Sequence, residues 1–511
     1  MHSPTGEEDG EVILPTTSSP QPAYESFGEI VGLHGGDSPL LKSSSHETYG
    51  ESTFTLDKAM EDVGFGWFQV RLTLIVGLAF AADSMDVVIM EILPPILQCE
   101  WRLSGFQRSM ITIGVFGGHM AGSVFWGKLG DKYGRKRIFG ASVVVAFAFG
   151  LLSAFSPSYL MLTLTRGTAA FGMGGVDVIV TLYAEFLPVN YRGKMLLLLG
   201  IYWAFGAAFE AGLALIVAQL FGWGWLLGLS TIPLLIVLIL YFQLKESVRY
   251  YMVTHDPAMV KENLDKIARL NHRLVPMGRL VDELPDEYES RGKIGSLFLP
   301  PLRMTTLLLL FAWAACTYSH SCLTTILLSL KEMERELRAE NTSILTDVQC
   351  DALSSSEYFD LFISAISPAF GILCALFLVE RFGRGYLMTA CCAILAVASA
   401  ALFISLDWIL VNFVFFIATT AAMTAIHLLW VYTPEVYPTT VRSVGLGCCT
   451  AVGRFAALTT PLITRILKQA SFKLPLVVCS FVAVLAAISA TLLPYKTRGV
   501  DLKDTIRQWR S

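Results

Sequence analysis

Apolar residues gather in long runs along this chain, separated by short polar or basic connections. Twelve runs reach the roughly 17–25 residues that cross a bilayer as a helix. They lie near 70–92, 109–128, 138–156, 159–182, 195–219, 223–243, 305–327, 359–379, 386–405, 409–431, 443–465 and 474–494. The longest polar interruption, 245–304, divides them into six and six. Within it, Met259, Leu264, Ile267 and Leu270 alternate with Lys261, Glu262, Asp265, Lys266 and Arg269, which predicts one or more short amphipathic helices along a membrane face. The pattern therefore predicts an all-α membrane protein. Its domains would be a disordered tail over 1–55, a six-helix bundle over 56–244, a loop with short helices over 245–304, a second bundle over 305–495 and a tail over 496–511.

Composition agrees. Of 511 residues, 54% are hydrophobic and 16% charged, against roughly 25% charged in soluble domains. Orientation follows from Lys and Arg in the loops. Lys128, Lys132, Arg135, Lys136 and Arg137 crowd the connection between spans 2 and 3, and Lys245, Arg249, Lys261, Lys266 and Arg269 lie in the central loop. The opposite connections at 156–159, 220–223 and 406–408 have neither. Both termini and the central loop are thus expected in the cytosol. Asn341-Thr-Ser343 then becomes a glycosylation acceptor on the other side. Cys99 and Cys350 fall on that side too and could pair in an oxidising lumen, while most other cysteines sit inside spans as small packing residues. Residues 1–55 are polar and Ser/Pro/Gly-rich, which predicts a cytosolic tail and no cleavable signal peptide. Asp37-Ser-Pro-Leu40-Leu41 within it has the form of an acidic-dileucine signal for sorting adaptors, or is plain linker.

Two motifs repeat. Gly127-Lys-Leu-Gly-Asp131-Lys-Tyr-Gly134-Arg135-Lys136-Arg137 joins spans 2 and 3, and a reduced copy, Glu380-Arg-Phe-Gly383-Arg384, joins spans 8 and 9, 249 positions on from Arg135 to Arg384. Glu185-Phe-Leu-Pro188 followed by Arg192-Gly193 ends span 4, and Glu435-Val-Tyr-Pro438 followed by Arg442-Ser443 ends span 10, 250 positions apart. Two independent motifs at nearly one offset imply a duplicated bundle. Asp131 is placed to stabilise the positive N-terminal end of a neighbouring helix. Arg135 is placed to pair with a carboxylate closing span 4, such as Glu185. Such contacts would either hold one face of the bundle shut or serve only to set topology.

The hairpin resembles the G-x-x-x-D-[RK]-x-G-R-[RK] element of the major facilitator superfamily, from about residue 70 to about 495. Lys245-Glu246-Ser-Val-Arg249 resembles the P-E-S-x-R element of its sugar and organic-ion porters, with Lys245 in place of Pro. Val63-Gly-Phe-Gly66-Trp-Phe-Gln69, Cys99-Glu-Trp101, Thr181–Pro188 and Val431–Pro438 are similar to the synaptic vesicle 2-related branch, itself similar to organic-ion and nicotinate transporters. Asp177 and Thr419 depart from that branch, which has an uncharged residue and Arg there. The resemblance implies a major facilitator fold of two pseudo-symmetric six-helix bundles. It also implies a conformational latch built from Gly127, Asp131, Gly134, Arg135, Glu185, Arg192 and Glu246 in the first half and Arg384, Glu435 and Arg442 in the second.

Ionisable groups inside spans are costly and usually functional. Asp83 and Asp86 share a face of span 1, and His119, Asp177, Glu210, His427 and Arg454 lie at comparable depth, with Trp203 and Trp430 as aromatic walls. Asp83, Asp86, Asp177 and Glu210 outnumber Arg166 and Arg454, so at least one carboxylate is expected to exchange a proton or meet a cation. Arg454 could instead bind a substrate carboxylate, or pair with Glu210 across the halves. His119 and His427 are either proton carriers or satisfied packing residues. Gly172-Met-Gly174-Gly175 superficially resembles a dinucleotide loop, but no strand precedes it, and close helix packing explains it.

No Walker A loop, Ser/His/Asp grouping or Cys-rich metal site occurs, so neither ATP-driven transport, an enzyme, a metal nor another cofactor is expected. Nothing suggests nucleic acid as a partner. The expected partners are the lipid bilayer, a small solute and protons. The expected function is secondary transport, facilitative or proton-coupled, of a small charged organic solute in a vesicle or plasma membrane. The alternative is a vesicle membrane protein that binds partners or nucleotides without flux.

Overall fold

All twelve apolar runs become helices, and most of these are longer than the run itself because polar turns extend them, although those at 138–156, 223–243, 386–405 and 474–494 are not. The computed structural model describes residues 53–281, 291–341, 355–404, 408–471 and 473–506. In the first half these are α1 (Trp67–Glu100), α2 (Gly105–Tyr133), α3 (Arg135–Ser153), α4 (Tyr159–Met173, resuming as Val176–Phe186), α5 (Val189–Leu220) and α6 (Trp223–Leu229, resuming as Ile232–Leu240). The second half has α7 (Pro300–Asn341), α8 (Ser355–Phe382), α9 (Arg384–Ala401), α10 (Trp408–Val436), α11 (Arg442–Ala470) and α12 (Leu474–Thr491). Among the described residues, 11 helices are long and apolar enough to cross a membrane. The twelfth, α2, is diluted by glycines, His119 and its polar ends.

The halves meet where α2 packs on α11 and where α5 packs on α8. Glycine permits the first of these contacts. A Cβ on Gly127 would lie 2.6 Å from the Ser443 carbonyl oxygen at the head of α11. Each hairpin turns on a glycine in the left-handed region, Gly134 at φ 103 and Gly383 at φ 86, so the reduced second copy keeps the one residue its turn requires.

The face carrying both hairpins is covered by short elements. Helix Leu56–Val63 lies against helix Pro257–Leu270, and strand Thr53–Phe54 pairs with Arg279–Leu280. The amphipathic helix buries Val260, Leu264 and Ile267, so its apolar stripe is turned from the sequence expectation: Val260 replaces Met259, and Leu270 stays exposed. Asn271 fixes the corner. Its amide donates to the Val63 and Gly64 carbonyls at 3.3 and 3.2 Å and accepts from the Phe68 N–H at 3.0 Å.

Gly174 and Gly175 interrupt α4, which the sequence reading carried through as one span. Close packing is the cause: a Cβ on Gly174 would lie 2.3 Å from the Ser123 nitrogen of α2. Asn341 ends α7, but Thr342 and Ser343 of its acceptor motif lie outside the described residues, as do Cys350 and the Asp37–Leu41 segment.

Candidate functional site

The break in α4 matters for the buried charges, because it puts Asp177 in the first turn of the resumed helix. Free N–H groups and the helix dipole favour an anion there. Across the interface, the Thr450 hydroxyl of α11 donates to Asp177 at 2.6 Å. One turn further along α11, the Arg454 guanidinium lies 3.1 Å from Asp83 Oδ2 of α1 and 3.3 Å from His119 Nε2 of α2. His119 is also 3.6 Å from Asp83. Arg454, Asp83, His119, Asp177 and Thr450 thus join three helices of the first half to one of the second.

Asp86, three residues from Asp83, turns to a different partner and pairs with Arg166 of α4. Glu210 is fully buried and accepts from the Ser230 hydroxyl of α6 at 2.8 and 2.9 Å. The expected Glu210–Arg454 pair is therefore not formed. Asp83 occupies Arg454, while Glu210 faces α6 inside its own half. The acid excess acquires a definite form. Two carboxylates, Asp83 and Asp86, have guanidinium partners, while Asp177 and Glu210 have hydroxyl partners.

An aromatic cluster lies beside these charges. Trp430 of α10 packs edge-on to Phe80 of α1 at 5.1 Å and to Trp313 of α7 at 5.5 Å. The His427 ring lies 5.9 Å from Trp203 and 6.3 Å from Phe80, and its Nδ1 is 2.8 Å from the Met423 carbonyl of its own helix. His427 is thus satisfied by local backbone, whereas His119 contacts both an acid and a base.

At the hairpin face the halves are tied together. The Asp131 carboxylate accepts from the Ser443 and Val444 N–H groups at 3.1 and 2.8 Å, capping the N-terminus of α11 in the other half. Arg135 lies 3.3 Å from both Asp131 and Glu185 and donates to the Thr439 carbonyl at 2.6 Å. Glu185 also pairs with Arg442 at 2.6 Å. The second copy echoes this within its own half. Arg384 pairs with Glu435 at 3.1 Å and Glu380 at 3.4 Å. Glu380 lies against Gly193 at the head of α5, yet its Oε1 has no hydrogen-bond partner among the described residues. Arg192 donates to the Leu187 carbonyl at 3.3 Å, as Arg442 donates to the Tyr437 carbonyl at 3.0 Å. Glu246 caps α3 through the Arg135 and Lys136 N–H groups at 2.8 and 3.2 Å, directly against Gly134, where a Cβ would lie 2.5 Å from its Oε2. Burial pushes the Glu246 carboxyl up, and these N–H donors pull it back only in part.

The sequence reading missed the C-terminal segment of this network. Arg249, fully buried, pairs with Asp57 ahead of α1 and with Asp504 after α12 at 3.0 Å. Burial alone would lower the Arg249 guanidinium, but the carboxylates of Asp504 and Asp57 outweigh it and hold it above its ordinary value. The same tail accepts from Arg442 and from the Thr439 N–H through the Lys503 carbonyl, at 3.1 and 3.0 Å. The E-S-x-R element was a usable signal for Arg249 and for Ser247, which donates to Glu185. No local pattern marked Asp57 or Asp504.

A family model described as "Sugar (and other) transporter" matches residues 50–326 and 352–509. The chain is 39% identical over 464 residues to a synaptic vesicle 2-related protein of Bos taurus, covering 90% of this chain and 84% of that one. It is 31% identical over 501 residues to organic cation/carnitine transporter 7 of Arabidopsis thaliana, covering 89% and 97%. Among solved structures, the proton:xylose symporter XylE bound to 6-bromo-6-deoxy-D-glucose superposes with a TM-score of 0.66 at 17% identity, over 86% of this chain and 99% of that one. A partially occluded inward-open XylE from E. coli gives 0.60 at 16% identity, over 85% and 100%.

Proposed function

The chain belongs to the sugar (and other) transporter family of the major facilitator superfamily, and we propose that it moves a small charged organic solute by alternating access through the Asp83–Arg454 cluster. It is a multi-pass membrane transporter and not an enzyme. Support for the charged solute comes from one observation above all: a buried acid and base, Asp83 and Arg454, face each other across the moving halves at 3.1 Å. A buried ion pair breaks even only while its partners stay together. A solute carrying complementary charge can replace either partner as the halves separate, and a neutral solute cannot. Asp83 would take an ammonium and Arg454 a carboxylate, so organic cations and zwitterions fit best. The name organic cation/carnitine transporter on one relative points the same way.

Asp177 and Glu210, with hydroxyl rather than guanidinium partners, are the groups best placed to take up a proton during the cycle. Trp203, Trp430, His119 and His427 would wall the route, and Asp86 with Arg166 would hold α1 against α4. The hairpin network from Asp131 to Arg442 would be the latch. Its closed form here corresponds to a state in which solute cannot leave on that side. That side is cytosolic in the orientation the basic loops favour, and the synaptic vesicle 2-related relatives support a vesicle membrane.

The test is uptake into proteoliposomes of a panel of labelled organic cations, zwitterions, carboxylates and sugars, with and without a pH gradient. Charged solutes should accumulate and sugars should not. Absence of flux for every class in folded protein would favour the alternative of a vesicle protein that binds without transporting.

A further inference from the structure

A groove outside the transport route is lined by Phe68, Arg71, Leu72 and Ile75 at the start of α1 and by Phe242 to Lys245 at the end of α6, with Leu270 at its base and a volume of about 240 Å³. We propose that it binds one anionic phospholipid, with the headgroup phosphate on Arg71 and Lys245 and an acyl chain in the groove. The level within the bilayer is right. Trp67, 60% exposed, opens α1, and such rings mark the membrane–water boundary. Arg71 follows one turn inward, and Lys245 stands two residues beyond the apolar segment that runs past α6 to Gln243. The sides are right as well. Phe242 is 81% exposed, so the groove opens sideways towards lipid, whereas its inner wall of Phe68, Leu72 and Ile75 is buried.

Charge then selects the occupant. Arg71 donates to the neutral Gln243 amide, and no ion pair to Arg71 or Lys245 is found among the described residues. Lys136 adds a third positive charge close enough to repel Lys245. The nearest acid, Glu246, spends its oxygens on the N–H groups of Arg135, Lys136 and Ser247. Glu262, which also senses Lys245, is paired with Lys266. An uncompensated pair of cations over an apolar slot at this depth suits a lipid phosphodiester carrying net negative charge. A free phosphate would leave the slot unused, and a zwitterionic lipid would bring its own cation to the lysine.

The test uses the full chain purified in detergent, titrated with phosphatidylserine or phosphatidylcholine and followed by native mass spectrometry. The variants are the double substitution Arg71→Gln with Lys245→Gln and a control pair on the same face, Lys128→Gln with Lys293→Gln. Each basic contact at a membrane surface changes affinity roughly fivefold. The first double variant should therefore bind phosphatidylserine about 25-fold more weakly than wild type. The control should be unchanged, and Lys245→Arg should retain binding. Equal retention of phosphatidylcholine, an unaffected double variant, or an equally weakened control would overturn the proposal. Inorganic phosphate displacing the lipid completely would overturn it too, since that is the behaviour of a plain anion site.

Discussion

Asp131→Asn tests the proposed latch at the hairpin face. Asp131 is buried, and its two oxygens accept from Ser443 and Val444 in the opposite half, at 3.1 and 2.8 Å. Both contacts vanish when the halves part, and water then solvates acid and amides alike, so only the net value of the bonds counts. Hydrogen bonds to a charged acceptor contribute about 1.5–3 kcal/mol each. Asn keeps the shape and one acceptor oxygen, but points an NH2 at the second N–H and removes the charge facing the helix end. The loss should be about 2–3 kcal/mol, near the value of one such bond plus the dipole interaction. At 1.4 kcal/mol per tenfold, the open-to-closed ratio at this face should rise roughly 30–140-fold. Arg135 would remain held by Glu185 and the Thr439 carbonyl, so the fold should survive. Single cysteines placed on each side of the bundle, labelled with impermeant reagents in oriented vesicles, would report the shift. Unchanged labelling at the hairpin face would mean that these bonds do not bias the conformational equilibrium.

Three further outcomes follow from other contacts. Arg249→Met removes the guanidinium shared by Asp57 and Asp504, which keep some water contact and, for Asp504, the Thr439 hydroxyl at 2.7 Å, so the cost should be roughly 3 kcal/mol, the low end for breaking a buried pair; a lower thermal midpoint and faster proteolysis after α12 would show it, and an unchanged midpoint would contradict it. Thr450→Val keeps volume and removes the donor to Asp177, so apparent solute affinity should fall about tenfold or more, whereas unaltered uptake kinetics would make Thr450 a packing residue. Burial raises the Glu246 carboxyl, so in the window from its unfolded value to that raised value the folded state binds its proton more tightly. Its contribution to stability therefore falls as pH rises through that window, and Glu246→Gln should flatten this part of the melting-temperature profile.

The bundle was legible because run length and the two duplicated motifs each report on one geometric requirement: crossing a bilayer, and turning a hairpin on Gly134 or Gly383. Asp131 and Arg135 were legible for the same reason, since a short acid and a base one turn apart beside that turn have few places to go. Pairing between distant charges was not. Glu210 and Arg454 have matching depth and opposite charge, but helix rotation sends Glu210 to Ser230 and leaves Arg454 to Asp83. Sequence depth fixes position along a helix and says little about azimuth. The break at Gly174 is not legible in the sequence because a glycine pair in an apolar run reads equally as packing or as interruption. Nor is Asp504, because its partner, Arg249, is 255 residues away.

The most direct measurement is solute counterflow by wild type and Asp83→Asn reconstituted side by side, with an organic cation, a zwitterion and glucose as labelled solutes. Transport through the Asp83–Arg454 cluster requires that wild type exchange the cation or zwitterion and not glucose, and that Asp83→Asn, matched in folding and insertion, exchange neither. Counterflow in the variant equal to wild type, or exchange of glucose alone, would contradict it.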